Sequence, residues 1–213
     1  MHRERTNLSN HVRRNRQAWD RLAKEYVEPA RRGWRQKEPI WGLWNIPESE
    51  VHLLPKKLRG LDVIELGCGT AYVSAWLARR GARVTGIDNS EEQLKTARAM
   101  QREHRLFFPL IHGNAENVPL PDASFDLAIS EYGACIWCDP YRWIPEASRL
   151  LRPGGELIFL GNSTILMLCA NDDENIPASS QLLRDYFGMH RFEFPDSGTG
   201  IESSRLVVES EVR

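Results

Sequence analysis

The sequence predicts an α/β fold, a mostly parallel sheet flanked by helices, and three observations carry that reading. Short apolar runs at 61–66, 83–88, 106–111, 124–130 and 156–159 alternate with stretches of helical length at 71–80, 91–104 and 141–151, the rhythm of strands joined by crossover helices. The first run ends in an acid and two glycines, Glu65-Leu66-Gly67-Cys68-Gly69, which reads as a buried strand turning into a helix around a ligand. The second run ends in Asp88, 19 residues beyond Gly69, so a carboxylate stands at the carboxyl end of a parallel strand.

A chain of 213 residues suits one well-buried domain with an appendage, here a helical cap or lid at 1–60 in front of the sheet-bearing unit at 61–213. Apolar residues at 41% and charged residues at 27% describe a globular protein. No run approaches the ~18 apolar residues of a membrane span, and nothing behind Met1 reads as a signal peptide. A cytoplasmic location is expected. The net charge of -1 is unevenly spread, with 14 Lys/Arg against 7 Asp/Glu in residues 1–59. Those charges are interleaved with Trp19, Leu22, Ala23 and Tyr26 at helical spacing, which suits a solvated helix face better than a nucleic-acid groove. Four scattered cysteines predict free thiols, and the single Cys135-Ile136-Trp137-Cys138 lacks the second pair that a zinc site needs, so no metal is expected.

Along the chain, residues 10–32 read as a helix that carries Val12, Ala18, Trp19, Leu22, Ala23 and Tyr26 and is ended by Pro29. Residues 33–60 look loop-like, with Gly33, Pro39, Gly42, Pro47 and Pro55, and contain Trp34, Trp41 and Trp44, which either plug the core or form an apolar lid. After Asp88, Ser90 and Gln93 make a capping box for the next helix. The run at 124–130 leads into Glu131 and Tyr132 at its carboxyl end, where ligands of open α/β sheets sit. From Asn162 the signal thins to an acidic loop at 171–175, a short helix at 181–187 and a strand at 205–212.

Two ligand readings of the glycine turn compete. A dinucleotide fingerprint needs G-x-G-x-x-G, but Tyr72 stands where the third glycine belongs. Glu65 separates the readings further, since a carboxylate there repels a pyrophosphate and attracts a cation. Glu65-Leu66-Gly67-Cys68-Gly69 resembles the acid-x-Gly-x-Gly loop of class I, Rossmann-like S-adenosylmethionine-dependent methyltransferases, with Ala71 at the third family glycine. The Leu150-Leu151-Arg152-Pro153-Gly154-Gly155 stretch resembles the helix-turn-strand signature of the same family.

The resemblance implies that 61–213 is the cofactor-binding domain, that the loop of Glu65, Gly67, Cys68 and Gly69 holds the methionine end of S-adenosylmethionine, and that Asp88 holds the ribose diol. It implies that Asn114 and Ala115 read the adenine edge, with Asn114 in place of the usual Asp, or else that Asn114 only forms an Asx turn. Asn89, Gln93, Glu116, Ser130 and Tyr26 join the expected cofactor contacts, and Trp41, Trp44 and Tyr132 the substrate side or lid. The implied activity is methyl transfer to a small molecule by alignment of donor and acceptor, with Glu131, Tyr132 or His112 to take a proton. An RNA methyltransferase and a non-catalytic cofactor- or partner-binding module are the alternatives. The family adds a helix and two strands where only 17 residues follow Asp196, so a shortened carboxyl-terminal part with one edge strand is expected, leaving apolar surface at 157–160 open to self-association.

Overall fold

The structure, a computed structural model, describes residues 8–42, 44–171, 176–187, 192–193 and 205–206. It opens with α1 (Asn10–Leu22), a 3-10 turn at Ala23–Tyr26, and α2 (Val27–Arg35). Pro29 therefore does not end the helical region as expected. It lies in the first turn of α2, where a missing N–H forfeits no intrahelical bond, and the chain stays helical to Arg35. The strands β1 (Ile40–Trp41) and β2 (Ile46–Pro47) then pair antiparallel and lead into the single turn α3 (Glu48–Val51), so 33–60 is more ordered than a loop.

The main sheet follows with β3 (Asp62–Leu66), α4 (Tyr72–Arg79), β4 (Arg83–Asp88), α5 (Glu91–His104), β5 (Leu110–His112), β6 (Phe125–Glu131), α6 (Ala134–Trp137), α7 (Pro140–Leu150) and β7 (Leu151–Leu160). The strand order is β5-β4-β3-β6-β7, with every neighbouring pair parallel. The chain builds outward from β3 on one side and then crosses to β6 on the other. The carboxyl ends of β3 and β6 are therefore the switch point at which an open α/β sheet leaves a crevice.

The period-2 alternation of a strand explains why the adjacent Val63 and Ile64 of β3 are both apolar: its two faces are buried in different clusters. Val63 packs with Leu127, Val73, Trp76 and Leu77 on the α4 side, while Ile64 and Leu66 pack with Ala128, Trp143, Ala147 and Leu150 on the α7 side. At the amino ends of the strands, Arg152 bridges Asp62 and Asp126 at 2.9 and 2.7 Å.

The front segment is anchored by its tryptophans. Trp34 is fully buried, donates Nε1–H to the Thr70 carbonyl at 2.8 Å, and stacks on Phe108. Trp76 returns the contact, donating to the Gly33 carbonyl at 2.9 Å. Trp41 is buried against Trp76 with its Nε1–H on Glu48, whereas Trp44 is 69% exposed.

Beyond β7 come α8 (Thr164–Cys169), β8 (Phe192–Glu193) and β9 (Arg205–Leu206). The expected helix at 181–187 is not formed. Leu182, Leu183 and Phe187 are exposed and supply no buried stripe, and the segment is tied to α8 through Leu183 N–H on the Leu168 carbonyl. The expected edge strand is likewise corrected, because Arg205–Leu206 pairs antiparallel with Phe192–Glu193 and not with β7. The rest of 205–212, and the acidic loop apart from Asn171, lie outside the described residues.

Truncating a fully buried tryptophan typically costs about 3–5 kcal/mol. Urea unfolding of Trp34→Ala is expected to show a loss of that order, and Trp44→Ala a change within about 0.5 kcal/mol.

Candidate functional site

Two backbone turns build the floor of the site. Gly67, at φ +76, and Gly69, at φ +50, carry the chain from β3 to α4. A Cβ on Gly67 would lie 2.5 Å from the Ala134 nitrogen, and one on Gly133 would lie 2.3 Å from the Gly67 carbonyl oxygen. The turn after β3 and the turn after β6 thus touch backbone to backbone. Nothing lies within 4 Å of a Cβ placed on Gly69, so the turn leaves open space beside it. Ala71 takes the left-handed conformation (φ 60) that a glycine would take freely, and its methyl is buried.

Above this floor is a cavity of about 410 Å³. Its lining includes the carboxyls of Glu65, Asp88 and Glu131 and, among the described residues, no Lys, Arg or His. Glu65 accepts the N–H of Ser74 at 2.8 Å and also its hydroxyl, which caps the first turn of α4. Burial, reinforced by the charges of Glu131 and Asp88, pushes the Glu65 carboxyl up to about 8 despite those hydrogen bonds. Asp88 accepts Gly69 N–H on one oxygen and Ser90 N–H on the other, each at 2.7 Å, and burial raises it as well. Glu131 accepts the Gly42 N–H at 3.1 Å and the Tyr72 hydroxyl, and burial again raises its carboxyl.

Helix α1 forms one wall. Asn15 donates to the Trp137 carbonyl at 2.9 Å, Arg16 donates to Asn89, Asn89 donates to the Val12 carbonyl, and the Ser90 hydroxyl donates to Asp20 at 2.6 Å. Trp19 packs edge-on against both Trp137 and Tyr26, which places an aromatic corner on the cavity.

Of the residues expected from sequence, Tyr26, Glu65, Gly67, Cys68, Gly69, Asp88, Asn89, Gln93, Asn114, Ala115, Glu131 and Tyr132 line this cavity. Asn114 Oδ1 accepts the Glu116 N–H at 3.0 Å, so the Asx turn forms at a lining position. Other expected residues stand outside the lining. Ser130 is buried between the turns, donating to the Leu66 carbonyl and accepting Cys135 N–H. Glu116 binds His11 and the Asp139 N–H. His112 sits on the Asn89 carbonyl at the surface, and Trp41 and Trp44 are placed as described above. Trp19, Thr70, Tyr72, Trp137 and Asn162 line the cavity without having been singled out for it. Tyr72 had left a signal, since it is the residue that breaks the dinucleotide fingerprint.

An open glycine turn, three acids without a cation, and a buried Gln93 Oε1 that lacks a partner fit a cationic, polar-edged cofactor. The all-parallel main sheet with its crevice at the switch point defines a Rossmann-like α/β fold. The family model described as a methyltransferase domain matches residues 64–159. A demethylmenaquinone methyltransferase of Listeria welshimeri is 34% identical over 143 residues, covering 65% of this chain and 57% of the relative. This chain therefore spans just over half the length of the curated relatives it matches. A solved S-adenosylmethionine-dependent methyltransferase from Mesorhizobium loti is 25% identical with a TM-score of 0.56, covering 73% of this chain and 71% of that one. A geranyl diphosphate C-methyltransferase from Streptomyces coelicolor, solved with Mg2+, geranyl diphosphate and S-adenosyl-L-homocysteine, shares the fold (TM-score 0.58, 16% identity, 71% of this chain and 64% of that one).

A methyl group on Gly133 has no room against the Gly67 carbonyl. Gly133→Ala is expected to destabilise the fold by about 1–3 kcal/mol, the range of overpacked interiors, and thermal melting checks it.

Proposed function

We propose that this chain transfers the methyl group of S-adenosylmethionine to a small, apolar-bodied acceptor that is neutral or cationic. The observation that carries this reading is the cavity at the switch point, walled by Trp19, Tyr26, Tyr132 and Trp137 and containing three carboxyls with no lining cation among the described residues. Such a lining disfavours phosphate or carboxylate acceptors. The cofactor, when bound, supplies an activated sulfonium methyl.

In this reading the chain's own residues bind, orient and exclude water. Glu65 and the glycine turn meet the amino-acid end, Asp88 receives the ribose hydroxyls through its remaining lone pairs, and the Asn114-Ala115 turn lies at the adenine edge. The α1 wall closes the site from solvent, where alignment does most of the catalytic work. Of the basic front, Arg16 is held by Asn89, while Arg31 and Arg35 face Glu103, which takes these three out of a phosphate-tracking stripe. Residues 1–60 are read as the cap and 61–213 as the cofactor domain. The four free thiols accord with a cytoplasmic setting, and no helix among the described residues is long and apolar enough to cross a membrane. Self-association through β7 is part of the proposal, since no described strand pairs with its outer edge and Phe159 is 55% exposed. Sedimentation is expected to show a dimer or larger.

Calorimetry is expected to give saturable S-adenosylhomocysteine binding and no NAD binding; the reverse result would sink the reading. Asp88→Ala is expected to weaken that binding by about 1.5–3 kcal/mol, the scale of hydrogen bonds to a charged group.

Glu65 adds a pH signature. Its folded value of about 8 lies above the ordinary 4.5, so the fold keeps a proton that the unfolded chain releases. Its contribution to stability is therefore full below about pH 4.5, falls as the pH rises to about 8, and then levels off. A ligand ammonium beside Glu65 restores the carboxylate. At pH 7 S-adenosylhomocysteine binding is expected to expel a proton, seen as a binding enthalpy that differs between phosphate and Tris buffers and does not differ in Glu65→Gln.

A further inference from the structure

Resting on the methyl-transfer reading, the geometry points to Glu131 as the group that receives the acceptor's hydroxyl proton, with Gly42 and Tyr72 holding its carboxyl in place. Glu131 closes β6 at the carboxyl edge of the sheet and lines the cavity. It stands two residues before Gly133, whose backbone lies against Gly67 of the glycine turn, so its distance from the cofactor cradle is fixed by main chain.

The three acids of the cavity differ in the kind of donor that holds them, and only Glu131 takes a phenol. Glu65 caps α4 through Ser74, and Asp88 ties Gly69 to Ser90. Glu131 holds Gly42 N–H on Oε1 and the Tyr72 hydroxyl on Oε2, one donor on each oxygen. A carboxylate oxygen takes two donors, so each has one position left for a ligand. Tyr72 is itself a phenol donating to this carboxyl, which makes a second aryl hydroxyl a chemically matched partner. The corner is also strained: Tyr132 adopts φ 48, a conformation that a bulky residue keeps only where its surroundings impose it and that gathers at functional sites. The Tyr132 hydroxyl comes within 3.5 Å of a Cβ built on Gly42, so both tyrosines and the Gly42 turn enclose Glu131. Burial, which raises the carboxyl, makes Glu131 a stronger base than an exposed glutamate.

The substrate class that follows is an aromatic or similarly flat apolar molecule bearing a hydroxyl. As its oxygen forms the bond to the methyl carbon, the S–CH3 bond breaks with its electron pair left on the sulfur. The hydroxyl proton passes to the free position on Glu131, and from there to solvent when the product leaves.

The test uses full-length protein saturated with S-adenosylhomocysteine and two probes of similar shape, 1-naphthol and 1-methylnaphthalene, with binding read by fluorescence or NMR titration. The parent is expected to prefer naphthol by about tenfold or more, and Glu131→Gln to cut the preference below threefold while binding S-adenosylhomocysteine within twofold of the parent. Tyr72→Phe, which vacates one carboxylate oxygen and leaves the Gly42 anchor, is expected to keep or increase the preference. A parent that discriminates less than twofold overturns the assignment, as does a Glu131→Gln protein that keeps the full preference. Should Glu131→Gln fail to fold, loss of the preference in Tyr72→Phe overturns it and its retention supports it. Failure of the parent to bind S-adenosylhomocysteine at all is a different outcome, which removes the methyl-transfer reading itself.

Discussion

The contact of Gly67 with Gly133 is the constraint on which the site depends. A single methyl group at either position would meet backbone atoms closer than real side chains ever come, so the two turns meet through main chain alone. Main-chain contacts between rigid strands vary far less than contacts between side chains. This one sets the register between the acids that stand before the two glycines, Glu65 on β3 and Glu131 on β6. Ser130 reinforces it, because its hydroxyl spans from the Leu66 carbonyl to the Cys135 N–H across the same seam.

Around that seam the fold gathers three carboxyl groups into one buried space. Each carboxyl is costly to bury while charged, and the fold offsets part of the cost with backbone donors: Ser74 for Glu65, Gly69 and Ser90 for Asp88, Gly42 for Glu131. What remains is electrostatic demand that a cation meets. The site is thereby tuned against anionic ligands before any specific contact forms, a form of selectivity by unfavourable alternatives.

Much of this was legible in the sequence, and the parts that were not have physical reasons. The strands, the glycine turn, Glu65 and Asp88 could be read because their roles are local: a buried run, a positive φ, an acid at a strand end. The two-sided burial of Ile64 and Val63 writes itself as an unbroken apolar run. The aromatic corner could not be read, since Trp19 meets Trp137 only after α1 folds back across the sheet, and nothing in either neighbourhood announces the pairing. Trp34 and Trp41 looked equally suited to a lid or a plug, because a tryptophan wants burial in both. Pro29 misled because a proline signal near a helix end has two meanings, a stop or a first turn, and only the tertiary path of α2 selects the second. Ser130 and Glu116 show the converse: polar residues beside a site whose bonds are used in holding the turns and α1 together.

The α1 wall has a kinetic side. Its tethers reach Asn89, Ser90 and Glu92 after β4 and Glu116 and Trp137 beyond β5 and β6, all on the carboxyl side of the sheet where the cavity lies. If each net hydrogen bond contributes about 1 kcal/mol, lifting the helix off six bonds to Glu116, Trp137, Asn89, Ser90 and Glu92 costs on the order of 6 kcal/mol, roughly ten-thousandfold in rate. Molecules passing that wall would wait on the helix, so occupancy lifetimes in the cavity would be governed by the amino-terminal segment rather than by how tightly the floor grips.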